Sequence, residues 1–94
     1  MTLSARVGPV LEAGDVADAL VAAIREENAD VAVDDRGSYL RVGVPRVCRV
    51  SRAAVERRLG RPFRLPADLE RVMPSFKGRL KMGEDGASWE LGAP

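Results

Sequence analysis

The sequence predicts an α+β fold: a single small domain of order β-α-β-β-β-α-(α)-β-β, with helices packed on small antiparallel sheets. Three observations carry this. Apolar–polar alternation brackets polar turns within residues 31–44 and again within 76–91. Helical spacing with start and stop signals falls after Gly14 and between Ser51 and Gly60. A chain of 94 residues supports one core only. Residues 1–5 read as a short flexible tail and residues 6–94 as the domain.

Arg6–Glu12 has strand-like content, interrupted by Gly8–Pro9. Proline has no N–H for a ladder, so this strand is expected at an edge or with a bulge. Asp15 is the expected N-cap of the first helix, with Asp18 adding negative charge at its positive end. Val16, Leu20, Ala23 and Ile24 then form one apolar stripe. Glu26, Glu27 and Asp30 crowd the far end, where the helix dipole disfavours acids.

Val31–Asp34 and Tyr39–Val44 read as strands around the turn Asp35–Arg36–Gly37–Ser38. Leu40, Val42 and Val44 face one way; Tyr39, Arg41 and Gly43 face the other. Val47–Val50 is a third short strand. Ser51 caps a helix that runs to Leu59, with Val55 and Leu59 inward and Gly60 as its left-handed stop. Pro66 suits a first helical position. Leu69, Val72 and Met73 fit a helical turn or a strand equally. Phe76, Gly78, Leu80 and Met82 alternate with Lys77, Arg79 and Lys81, and Gly83–Glu84–Asp85–Gly86 returns the chain into Ala87, Trp89 and Leu91. That pattern predicts an antiparallel hairpin with one charged and one buried face.

Composition excludes much chemistry. Histidine is absent and Cys48 is the sole cysteine. A structural zinc site takes about four Cys or His ligands. Iron–sulfur clusters likewise need several, and neither a Ser–His nor a Cys–His nucleophile can be assembled. Cys48 behaves as a small hydrophobe. Asp34–Asp35 is an acidic pair in a loop, but calcium takes about six oxygen ligands in a set pattern that is missing here. These acids read as turn residues bonding their own backbone, with Arg36 completing a salt-bridged turn. No apolar run is long enough to span a bilayer and no secretion signal is evident, so the expected location is cytoplasmic, without a membrane partner.

Charge is segregated beneath a formal net of +1. Residues 1–35 hold eight acids and two arginines; residues 36–64 hold nine arginines and one acid, Glu56. Three readings remain open: mutual compensation of the two blocks, a basic docking face for an acidic protein, or nucleic-acid binding. Aromatics are only 4%, which leaves few stacking platforms for single strands. Met73–Pro74–Ser75–Phe76 also reads two ways, with Met73 and Phe76 either turned inward or touching a partner.

Several segments together resemble a known family. They are Val7–Gly8–Pro9–Val10 with Ala13–Gly14–Asp15, Val33–Asp34–Asp35–Arg36 with Tyr39 and Arg41, Leu59–Gly60–Arg61–Pro62–Phe63, and Ser75–Phe76–Lys77–Gly78. They are similar to the small effector proteins, also called regulatory or coupling proteins, of bacterial soluble diiron multicomponent monooxygenases. The likeness spans about residues 7–91 and is strongest toward the toluene, alkene and isoprene branch. Pro74 and the basic strand Arg46–Arg49 depart from the family pattern.

The resemblance implies a component with no cofactor and no catalysis of its own. It implies binding to the diiron hydroxylase and a shift of its conformation that controls substrate and oxygen access, coupling and regiospecificity. The ferredoxin and reductase of the same system are implied as indirect partners, and nucleic acid is not. By motif matching, the implied hydroxylase-docking residues are Val7, Gly8, Pro9, Arg61, Pro74, Ser75, Phe76 and Gly78. The alternative reading is a small Arg-rich nucleic-acid-binding or regulatory domain.

Overall fold

β1 (Arg6–Glu12) runs inside the larger of two sheets rather than along its rim. The structure, a computed structural model, describes residues 5–92; of the tail expected at 1–5, residues 1–4 lie outside them. β1 is flanked by β3 (Tyr39–Pro45) and β5 (Ser75–Lys77), and β2 (Ala32–Asp35) completes the order β2-β3-β1-β5, all antiparallel. The edge-or-bulge expectation for Gly8–Pro9 is therefore corrected. Val7 opposite Val44 and Val10 opposite Arg41 keep one register, so no residue is inserted. The ladder to β3 lapses at Gly8 and Pro9, while β5 pairs with the same two residues from the other side. A missing N–H removes one ladder bond and need not expel a strand whose other neighbour still holds it.

The smaller sheet has the order β4-β7-β6, from β4 (Val47–Ser51), β7 (Gly86–Glu90) and β6 (Arg79–Met82). The single strand expected across residues 76–82 is thus two strands in two sheets, divided at Gly78. There φ is +107°, and a Cβ would stand 2.8 Å from Val7 Cγ1 and 2.9 Å from the Glu90 carbonyl oxygen. Only glycine combines that dihedral with that approach. Leu91, expected inward, lies beyond the end of β7 and is exposed.

α1 (Asp15–Glu27) buries Ala17, Ala19, Leu20, Ala23 and Ile24 against the core, with Val16 half-buried. Its N-cap is Gly14, which has no side chain to offer, and Asp15 is the first helical residue; this corrects the expected Asp15 cap. α2 (Arg52–Leu59) forms as its signals predict. Ser51 Oγ accepts from the Ala54 N–H, and Gly60 closes the helix at φ +78°. α3 (Ala67–Val72) resolves the ambiguous segment as a helix burying Leu69, and Pro66 stands just before its first residue. The core joins both sheets and the helices through Val7, Leu11, Leu20, Ile24, Phe63, Leu69 and Trp89, all essentially inaccessible to solvent.

The acids crowded at the end of α1 have specific partners. Glu26 binds Arg57 and Arg58 of α2, which clamps the helix pair and lowers its carboxyl pKa, chiefly through the Arg58 hydrogen bond. Glu27 accepts from the Ser51 N–H at 2.6 Å and from its hydroxyl at 2.8 Å. The Asn28 side chain donates to the Arg49 carbonyl at 2.7 Å and accepts the Arg49 N–H at 3.0 Å. Together they satisfy the outer edge of β4 with side chains, where another chain could otherwise pair.

Candidate docking surface

Seven of the eight residues singled out for docking come together where β1, β5 and β6 meet. Pro9 lies opposite Phe76, and Gly8 opposite Lys77. Val7 underlies Gly78, and Pro74 leads into Ser75 at the start of β5. Their roles divide by burial. Val7, Gly8 and Pro9 are buried, so they support the surface from beneath. Pro74, Ser75, Phe76 and Gly78 are exposed and form its outer layer. Gly8 has its own constraint: φ is +151°, and a Cβ would stand 2.3 Å from the Val42 carbonyl oxygen.

Met73 and Phe76 separate in a way that neither reading of that segment anticipated. Met73 turns inward, whereas Phe76 remains 43% exposed at the rim of the larger sheet. β5 is only three residues long, so the edge gives Phe76 little cover. On the open face beside it, Gly8, Val10, Gly43, Ser75 and Lys77 help line a cleft of about 440 Å³. A second cleft of about 640 Å³, with Tyr39, Pro74 and Ser75 in its wall, adjoins it through Val10 and Arg41.

Arg61 stands apart. It pairs with Asp15 at 3.2 Å and lines a separate cleft of about 250 Å³ with Val16, Leu59 and Phe63. The arginine block is largely consumed in such pairs. Arg36 binds Asp34, Arg52 binds Glu56 and Asp85, Arg57 and Arg58 bind Glu26, and Arg64 binds Asp68. Asp35 accepts the Gly37 N–H at 2.8 Å, completing the turn expected around Arg36. Four of the nine, Arg36, Arg57, Arg58 and Arg61, pair with acids of residues 1–35, so compensation between the two blocks holds for part of the arginine block.

Burial pushes the Cys48 thiol up to about 12, so it stays protonated. Among the described residues, no three His, Cys, Asp or Glu side chains converge as metal ligands. Among them also, no helix is long and apolar enough to cross a membrane.

The description of the MmoB/DmpM family matches residues 5–90, nearly the whole chain. The chain belongs to the MmoB/DmpM family. It is 45% identical over 85 residues to the effector subunit of the alkene monooxygenase system of Xanthobacter autotrophicus, a match covering 88% of this chain and 83% of that protein. The fold is also that of a chain in a solved phenol hydroxylase–regulatory protein complex, with a TM-score of 0.81 and 21% identity. That match covers 93% of this chain and 99% of the other. The Xanthobacter protein is named an effector subunit, and the other structure is that of a complex between phenol hydroxylase and a regulatory protein.

Two features at the same end escape sequence reasoning. Leu91 is 46% exposed, and it and Phe76 are the exposed large hydrophobic side chains among the described residues. Arg46, between β3 and β4, takes a left-handed φ of +69°. The continuous alternation of residues 76–91 hid the first. The second carries no local signal, because arginine is not a residue type that marks left-handed turns.

Proposed function

We propose that this chain is the effector component of a multicomponent diiron monooxygenase. It binds the hydroxylase and holds it in one of its conformations, controlling substrate and oxygen access, coupling and regiospecificity. Residues 6–94 act as the effector domain, in the cytoplasm. The system's ferredoxin and reductase are functional partners without being the primary binding target. An effector of this kind works by differential affinity: the bound conformation of the hydroxylase gains population in proportion to how much better the effector fits it. Such coupling is typically about 1–3 kcal/mol.

The observation that carries the reading is the exposed Ser75–Phe76 edge on a buried Val7–Gly8–Pro9 support, in a chain close to an alkene monooxygenase effector. A half-exposed phenylalanine on a rigid strand is an economical anchor, since it loses little freedom on binding. Pro74 and Ser75 set the entry of that strand. Arg61, already engaged with Asp15, adds positive charge at a second point of approach. The nucleic-acid alternative gains no support from the arginines of residues 36–64, six of which are bound to acids of the same chain.

The test is titration of the purified chain into its diiron hydroxylase with the electron-transfer components present. The expected result is a saturable change in turnover, product distribution or peroxide release. Turnover, products and uncoupling that stay flat across the titration would refute the proposal.

A further inference from the structure

Arg46 is held at a φ that suits glycine or asparagine, and both of its backbone groups are engaged. Its N–H donates to the Ala5 carbonyl at 2.9 Å, and its carbonyl accepts the Leu91 N–H at 2.8 Å. The fold uses the backbone of this position, not its side chain. Among the described residues the guanidinium has no carboxylate partner, in a chain where eight other cations do. The two backbone bonds account for the left-handed turn, and the side chain is left without a structural ion pair.

The neighbours of Arg46 give it a context. Leu91 follows Glu90, whose carbonyl abuts Gly78, and Gly78 is flanked in sequence by Lys77 and Arg79. Neither Lys77 nor Arg79 forms an ion pair among the described residues, though Arg79 lies opposite Glu90 across the β6–β7 ladder. Phe76 lies two residues before the same glycine. Phe76 and Leu91, the exposed large hydrophobics among the described residues, thus both lie within two residues of the Gly78–Glu90 contact, as do Lys77 and Arg79, while Arg46 is bonded to Leu91. Glu90 is bound to Lys81.

We propose that Phe76 and Leu91 are paired apolar anchors, and that Arg46, Lys77 and Arg79 form a cationic rim around them. The occupant is a protein surface with an apolar depression edged by carboxylates, and on the effector reading above, on which this inference rests, that surface belongs to the hydroxylase. Charge complementarity selects it. An apolar centre with a charged rim is the anatomy of a protein interface, in which the centre supplies affinity and the rim supplies orientation and encounter rate. A phosphate backbone would find no aromatic stacking row here and would meet Glu90 within the cluster.

Binding of the diiron hydroxylase to the unaltered chain, Leu91→Ala, Arg79→Glu, Lys77→Glu and Arg46→Asn tests this, at low and at physiological ionic strength. Leu91→Ala is expected to weaken binding about tenfold at both. The two charge reversals are expected to slow association about tenfold at low salt and to flatten its salt dependence. Arg46→Asn is expected to weaken binding while leaving the melting temperature unchanged or higher, because asparagine accepts the left-handed turn. That split distinguishes a docking role from a structural one. Circular dichroism and the Trp89 emission report whether each variant is folded.

The outcomes separate the two claims. If the unaltered chain neither binds the hydroxylase nor alters its turnover, the effector reading falls. If the unaltered chain binds and all four variants, being folded, bind equally well, the surface proposed here falls and the effector reading stands. Loss of salt-dependent DNA retention in the variants, with hydroxylase affinity unchanged, would give these cations to nucleic acid and overturn the proposal.

Discussion

Gly78 approaches Val7 so closely that a methyl group on its α-carbon would stand 2.8 Å from Val7 Cγ1. The contact joins the first strand of the domain to the point where the chain passes from one sheet to the other. It also fixes the position of β5 relative to β1, and hence the placement of Phe76. Gly78→Ala meets both the contact and the left-handed φ. The expected cost is about 1–3 kcal/mol, read from urea denaturation, and it should be accompanied by faster amide exchange in β5. Gly92→Ala, with open space at the corresponding position, should leave stability unchanged.

Asn28 substitutes for a strand. Its amide makes two hydrogen bonds to the backbone of Arg49 and a third to the Ile24 carbonyl at 2.8 Å. Asn28→Ala leaves the Arg49 edge without a protein partner and should cost about 1–2 kcal/mol. Asn28→Asp retains the acceptor for the Arg49 N–H but sets a carboxylate oxygen against the Ile24 and Arg49 carbonyl oxygens at the C-terminal end of α1, so a loss at least as large as that of the alanine variant is expected. Hydrogen exchange at Arg49 should accelerate in the alanine variant before exchange elsewhere in the smaller sheet.

The elements that could be read from sequence are those whose signals are local. Ser51 and Gly60 bound α2 through groups within a few residues of each, and Asp34 with Arg36 and Asp35 with Gly37 close the turn among neighbours. What escaped depends on partners remote in the chain. Alternation through Phe76, Gly78, Leu80 and Met82 is the same for one strand as for two. What divides it is Val7, which no window around Gly78 contains. Pro9 suggests an edge until β5 supplies a second neighbour. Leu91 keeps the alternation of a buried residue but lies past the last paired one. The docking residues were reached by motif resemblance, and composition and periodicity did not single them out. Their division into a buried support and an exposed layer needed the folded chain.

Cys48 makes the alkaline limb of the stability curve specific. Burial raises its thiol to about 12, against 9.0 for an ordinary cysteine. The folded state therefore retains a proton that the unfolded chain releases from about pH 9 upward. The resulting stabilisation is complete below that pH and is lost progressively as pH rises toward 12, with a slope approaching about 1.4 kcal/mol per pH unit. Other groups titrate in the same range, so the measurement is the difference in slope between the unaltered chain and Cys48→Ala. The expected result is a shallower alkaline decline in the variant. Thiol-reactive reagents should label Cys48 only as fast as the protein opens.

The acid limb rests on Glu26 and Asp68, whose carboxyls are held below their ordinary values by hydrogen bonds, to the Arg58 side chain and the Arg64 backbone respectively. A depressed folded pKa contributes stability above the unfolded value and loses it as pH falls through the folded one. Glu26→Gln should flatten the decline below about pH 4.5, the ordinary glutamate value. Added salt should shrink the difference between the variant and the unaltered chain, because these carboxylates are at the surface. Equal acid slopes for the two proteins at low salt would remove Glu26 from the account.

The two phenylalanines provide a matched pair. Phe63 is 2% exposed and its N–H donates to Glu56 at 2.9 Å, whereas Phe76 is 43% exposed. Phe63→Ala should cost about 3–5 kcal/mol, the usual consequence of emptying a buried aromatic site. Phe76→Ala loses only part of a burial it never completed, and a surface change of that kind costs about 1 kcal/mol or less. Activity should rank the pair in the opposite sense. Phe63→Ala that remains folded at low temperature should still drive hydroxylase turnover at saturating concentration, while Phe76→Ala should need about tenfold more protein for the same effect. Denaturation curves and a titration against turnover measure both quantities on the same preparations. A Phe76→Ala chain that drives the hydroxylase at unaltered concentration would show that the exposed ring is not an anchor.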